Sequence, residues 1–481
     1  MRVESRQRYR APLAVLLVLA LVMSLLILVI PGAGASDEAS DLSSRLKDAN
    51  ARAAGESGHG LGFLPSPPGD YPELEPFYDA GTLAASADLS GGIPPVGDQG
   101  TQNSCVAWAA GYYYKSWWEG DKHPSWDLAD SWYQFSPSFV YNQINGGEDK
   151  GSRFVDAFFL LEGEGCTDID QMPYDQADYT TQPTPFQLEA AEPYRIPDTW
   201  GYFWINSGYG PYSPANSIDD VKYWLDAGVP VVMGIPIYSD FPDYEGSPAE
   251  QYYVYDGVSG LEGGHGVCIV GYDDDVNPGG SDPDHQGGFL MVNSWGPEWN
   301  GSGQGYAYLS YDFVKEYAME AWGMVDTNSD EPVIGDPALS GEPGELVSIS
   351  GDNFGANRRE VEVTIDGISA SIESYGNREV SAYAPDGAVD GSVVVYNWDH
   401  AASNAVPFNA PPHLDGLNPE SGFVGDEVAL EGYSFGDDRG ESAVYFGGVE
   451  VSEYPSWSDT GITAKVPRGV MGEVMVSVSV E

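Results

Sequence analysis

The feature that most restricts the fold of this chain is a repeat in its last third. The stretch GELVSISGDNFG at 344–355 returns as GDEVALEGYSFG at 425–436, so that Gly344, Gly351, Phe354 and Gly355 recur as Gly425, Gly432, Phe435 and Gly436, 81 residues on. APDG at 384–387 returns as VPRG at 466–469. Apolar residues occupy every second position between Gly and Asp, the pattern of half-buried strands. Two copies of one β-sandwich, over 332–409 and 411–481, are the economical solution. The first copy closes with SNAVPF (403–408), whereas the second reaches VSVSVE without a counterpart, so the expectation is either a missing final strand or a chain that is a fragment.

The other end is an export signal in form. Arg2, Arg6, Arg8 and Arg10 precede a charge-free run from Ala11 to Ile30, and AGAS at 33–36 offers a small-x-small cleavage site after Ala35. The run is nearly long enough to span a bilayer, so an uncleaved signal anchor is the alternative reading of 1–35. The basic flank stays cytoplasmic in both cases and the remainder lies outside. Residues 36–88, rich in Ser, Gly, Ala and Pro, read as a pro-segment or linker with one short helix around SDLSSRLKDANARAA. Residues 89–328 mix helical and strand patterns and are dense in Trp and Tyr. The net charge of -54 excludes nucleic acid as a partner, and hydrophobic residues at 42% exclude a disordered chain.

Three cysteines, Cys105, Cys166 and Cys268, are an odd number outside the cytosol, so at least one thiol lacks a partner in the chain. No CxxC spacing or Cys/His cluster supports zinc. Cys105 opens an apolar run, CVAWAAGYYYKSWW, that predicts a helix starting at the thiol, where positive partial charge favours a thiolate. Only His265 among six histidines opens an apolar strand, GGHGVCIVGYDD (263–274). Asn293 ends a second such strand, FLMVNSWGPEW, and its amide oxygen can hold an imidazole N–H. Gln99, six residues before Cys105, adds an amide donor for a developing oxyanion beside the Cys105 N–H. Alone, Cys105 reads as a buried structural thiol. Cys166 and Cys268 are taken as structural, Cys268 pointing to the strand face opposite His265.

Gln99, Cys105, His265 and Asn293 occur in the order found in papain-like cysteine peptidases, and QGTQNSCVAWA, HGVCIVGYD and NSWGPEW…GYAYL resemble that family's glutamine-to-cysteine, histidine and Asn-Ser-Trp-Gly segments. The resemblance implies an α+β catalytic unit of two lobes over 89–328, helical around Cys105 and β-barrel-like around His265. It implies a Cys105 thiolate paired with His265, an Asn293 that orients the ring, a Trp295 that shields their bond, and no cofactor. Gly151 and Ser152 of GSR stand where the family often places a Gly-Gly pair that binds substrate backbone. This chain also lacks a second cysteine in the Gln99–Cys105 loop, has Val106 where tryptophan is common, and has no long interrupted pro-segment helix motif. The tail repeats resemble IPT/TIG immunoglobulin-like domains, which implies a surface, protein or glycan ligand.

The function expected is therefore an exported cysteine endopeptidase acting on proteins or peptides, with membrane contact only through an uncleaved N-terminal segment. The alternative is a surface adhesin whose peptidase-like domain is silent. No metal is expected. Asp273, Asp275 and Asp282, in the acidic stretch between the histidine and asparagine strands, are a weak calcium candidate beside the simpler reading of a solvated hairpin.

Overall fold

The computed structural model describes residues 44–50, 52, 58–67, 71–74, 83–205, 218–241, 252–277, 286–301, 304–326, 328–355, 361–397 and 400–480. The signal expected at 1–35 lies outside them. No described helix is long and apolar enough to cross a membrane. The short helix expected in the pro-segment is described from Ser44 to Asn50.

The predicted helix begins at Cys105 and runs without a break to Lys122. Its first turn, Cys105–Ala107, and its last stretch, Ser116–Lys122, are α-helical, but Trp108–Lys115 is wound as a π-helix. Every residue from Cys105 to Glu119 is buried, so packing on all sides, rather than one apolar stripe, holds the helix. Around it pack Pro137–Ile144 and Phe154–Gly163, with Phe139, Phe154, Phe158 and Leu161 fully buried.

Among the described residues an eight-stranded sheet forms the second lobe. Its central strands are Val231–Tyr238, Leu261–Asp273 and Gly288–Val292, paired antiparallel. Leu261–Asp273 divides its side chains between the lobes. Val267 and Ile269 enter the sheet's own core, while Cys268 and Val270 face the core around the Cys105 helix. Cys268 thus lies where strand alternation placed it. Cys105, Cys166 and Cys268 are all buried and none forms a disulfide.

Two β units follow, each with its own core, around Ile349, Phe354 and Val395 in the first and Leu430, Phe435 and Val444 in the second. The repeated Gly and Phe now have a reason. A Cβ on Gly351 or Gly432 would fall within 2.0 Å of a neighbouring strand's carbonyl oxygen and within 2.6 Å of the Phe354 or Phe435 ring. In the first unit Gly391–Tyr396 pairs on one side with Glu362–Ile365 and on the other with Val406–Asn409. In the second, the matching Val476–Ser479 pairs with Ala443–Phe446, and no described strand takes the place of Val406–Asn409.

A buried charge network ties the Cys105 helix to the strand leaving the peptidase-like unit. Lys115 and Glu119, both fully buried, pair with each other, and Lys115 Nζ lies 2.8 Å from Asp326. Burial alone would lower the Lys115 pKa, but Glu119 and Asp326 hold the ammonium above its usual value. Removing one member of a buried network leaves the others uncompensated, at about 3–5 kcal/mol. Lys115→Met is therefore expected to lower the urea midpoint of the peptidase-like unit by a loss of about that size. An unchanged midpoint would contradict this role.

Candidate active site

The structure brings Gln99, Cys105, His265, Asn293 and Trp295 together. Cys105 Sγ is fully buried and accepts the Gly266 N–H at 3.2 Å. Next to Gly266 on the same strand, His265 places Nε2 2.7 Å from Asn293 Oδ1. The same oxygen accepts the Ser294 N–H at 2.8 Å, so it can only be an acceptor and the ring must donate from Nε2. His265 Nδ1 is then bare, buried and without a hydrogen-bond partner. Trp295 covers the ring, with centroids 4.7 Å apart. Ser294 Oγ donates to Gln99 Oε1 at 2.5 Å, which fixes the amide so that Nε2 faces inward. Ser294 was not singled out in the sequence, although it lies beside Asn293.

The site is covered by the chain's own residues 59–66. Gly60 O accepts Gln99 Nε2 at 3.0 Å, where the sequence reading placed an oxyanion donor. The Gly62 N–H points at Cys105 Sγ from 3.3 Å, so the sulfur meets a donor rather than a carbonyl carbon. Ser152 binds an extended backbone here: its N–H donates to Gly62 O at 2.8 Å and its O accepts the Leu64 N–H at 2.9 Å, whereas the Gly151 N–H donates to the Tyr141 hydroxyl at 3.3 Å. The resulting bridge, Phe63 to Ser152, is parallel. Phe63 is fully buried, packed on Gly234, Gly264 and Phe154.

Polar anchors hold the segment along its length. His59 stacks on Trp295 at 5.0 Å. Asn103 Oδ1 accepts the Leu61 N–H at 3.0 Å, and Asn50 joins Phe63 O to the Gly264 N–H. Glu320, fully buried, accepts both the N–H and the hydroxyl of Ser66 at 3.1 Å. Burial pushes the Glu320 carboxyl up to about 8, against the pull of those two Ser66 donors.

Gly60 and Gly62 are what let the backbone lie so deep. A Cβ on Gly60 would fall 2.0 Å from Gln102 O, and one on Gly62 would fall 1.9 Å from Asn103 O. Both walls are main chain and cannot swing aside.

Burial also sets the charge state. It pushes the Cys105 thiol up to about 11, outweighing the N–H groups of Gly266 and Gly62 that favour a thiolate. It pulls His265 down to about 4, outweighing the Asn293 bond. Both shifts favour a neutral thiol and a neutral imidazole while the segment is in place, and no hydrogen bond reaches Nδ1 among the described residues. In this covered form burial works against the ion pair expected from the sequence, because water is excluded from both groups.

A sequence profile described as papain family cysteine protease matches residues 85–325. The chain belongs to that family. Two IPT/TIG domain matches cover 335–409 and 412–481. Among curated proteins, Cathepsin B-like CP2 of Giardia intestinalis is 27% identical over 214 residues, 44% of this chain and 63% of the relative. Cathepsin B-like CP3 of the same organism is 27% identical over 217 residues, with the same coverage. The match thus spans less than two thirds of these relatives' length. Among solved structures, xylellain, a cysteine protease from Xylella fastidiosa, aligns with 56% of this chain and 97% of its own at 23% identity and a TM-score of 0.45. The cysteine protease and lectin-like domains of Cwp84 of Clostridium difficile align with 91% of this chain and 81% of their own at 15% identity and a TM-score of 0.40.

Two of the three weak calcium candidates, Asp273 and Asp275, lie within the described residues. Asp273 accepts the Asp275 N–H, neighbouring Asp274 pairs with Lys222, and Asp282 lies outside the described residues.

One expectation follows for the covering segment. Gly62→Ala should expose the thiol, so alkylation of Cys105 in the intact chain should accelerate at least tenfold; an unchanged rate would show that the segment does not depend on this close approach.

Proposed function

We propose that this protein is an exported cysteine endopeptidase, held latent by residues 59–66. Cys105 is the nucleophile. Once the segment leaves, the bare Nδ1 of His265 accepts the thiol proton, and the resulting thiolate attacks the scissile carbonyl. Asn293 holds the imidazolium through Nε2, and Trp295 keeps water from that bond. Gln99 Nε2 and the Cys105 N–H stabilise the oxyanion. His265 then returns its proton to the leaving amine, and a water releases the acyl group. The observation that carries this reading is the Gln99 amide, held by Ser294 and already donating to a peptide carbonyl beside the thiol.

Export is supported by the basic start, the charge-free run from Ala11 to Ile30 and the small residues that follow. The two IPT/TIG domains are proposed as modules for a surface, protein or glycan ligand.

The test is turnover of a peptide library by protein freed of residues 36–82, compared with Cys105→Ala. Wild type should cleave and should be labelled by an epoxysuccinyl inhibitor. The variant should do neither, a loss of at least a thousandfold in kcat. Cleavage by the variant would overturn the nucleophile. No cleavage by wild type, together with tight binding of a surface ligand, would favour a silent adhesin.

A further inference from the structure

Three consecutive tyrosines, Tyr112, Tyr113 and Tyr114, lie in the π-wound part of the Cys105 helix, and all are buried. Consecutive side chains leave any helix in different directions. Each hydroxyl therefore reaches a different part of the domain. Tyr112 donates to Pro95 O at 2.8 Å. Tyr114 accepts the Met324 N–H at 2.8 Å. Tyr113 donates to Asn293 O at 2.8 Å and accepts the Gly97 N–H at 3.0 Å.

The two groups that Tyr113 joins belong to the two strands carrying the Gln99 and Asn293 side chains. Those strands meet in one short antiparallel bridge, Asp98 to Trp295. Gln99 N–H donates to Ser294 O at 2.7 Å and Gly296 N–H to Gly97 O at 2.9 Å. The bridge leaves the Gly97 N–H and the Asn293 carbonyl without main-chain partners across it. The Tyr113 hydroxyl takes both. It also sits eight residues beyond Cys105 on the same helix. It thus links the element that carries the thiol to the main chain of the residue that holds His265.

We infer that Tyr113 is a positioning residue: its hydroxyl fixes the Asn293 and Gly97 main chains to the Cys105 helix, and so sets the spacing of thiol, imidazole and the amide donor two residues beyond Gly97. The inference rests on the proposed roles of Cys105, His265, Asn293 and Gln99. Tyr113 touches neither substrate nor reacting atoms and acts through the Asn293 and Gly97 main chains. Tyr114 is the internal control, because it loses the same buried group from the same helix without touching those strands, and Tyr112 meets the Gln99 stretch only at Pro95, away from the bridge.

The experiment compares Tyr113→Phe, Tyr112→Phe and Tyr114→Phe in protein freed of its covering segment. All three should melt lower than wild type. Only Tyr113→Phe should lower kcat by at least tenfold with KM changed less than twofold. Only Tyr113→Phe should move the pH dependence of Cys105 alkylation, by half a unit or more. If its kcat and alkylation profile match those of Tyr114→Phe, the hydroxyl is merely structural and the inference falls. If Tyr113→Phe does not fold, ring-fluorinated tyrosine at 113, which keeps the ring and acidifies the hydroxyl, should still alter kcat and the alkylation profile. The same replacement at 114 should not, and equal responses at the two positions would also overturn the inference. Activity in Cys105→Ala is a separate outcome that would remove the nucleophile itself.

Discussion

One strand serves two cores, and the site depends on that sharing. Leu261–Asp273 turns Val267 and Ile269 into the sheet's core and Cys268 and Val270 toward the Cys105 helix. Packing on both faces leaves the strand no freedom to slide, since a one-residue slip would exchange the two sets. His265 and Gly266 therefore sit at a fixed height against the start of the helix. The Gly266 N–H reaches Cys105 Sγ, and the His265 ring reaches Asn293. Residues far apart in the chain meet because one strand is held from two sides.

Residues 59–66 turn that rigid site to another use. Their backbone occupies the groups that the proposed mechanism assigns to a substrate: the Gln99 amide, the Ser152 peptide and the sulfur's open side. The fit is close enough that only glycine is accommodated at 60 and 62. The segment does more than obstruct. By removing water it pushes the thiol pKa up and the imidazole pKa down, so burial favours the uncharged forms of the pair proposed to carry the chemistry. Geometry and charge state thus respond to one event, the removal of a single strip of chain.

Much of this was legible in the sequence. The helix from Cys105 followed from its apolar run, and the strands bearing His265 and Asn293 from theirs. The tail repeat followed from glycines and phenylalanines that recur because each Gly–Phe pair packs in the same way. The covering segment was not legible. GHGLGF reads as linker, because glycine usually marks freedom, whereas here it marks a backbone pressed against Gln102 and Asn103. Its partners also lie far away, as with Ser66 and Glu320, 254 residues apart. The π-winding was hidden for another reason: the run is apolar on every side and carries no period to betray it. The reach of the three tyrosine hydroxyls therefore needed the structure.

Nitrogen-15 NMR of the His265 imidazole at pH 6 tests the central claim, that the covering segment holds the thiol and imidazole uncharged. The intact chain should show a neutral ring protonated at Nε2 alone. Protein freed of the segment should show both nitrogens protonated at the same pH. A doubly protonated ring in the intact chain, or a ring that stays neutral after the segment is removed, would contradict the account.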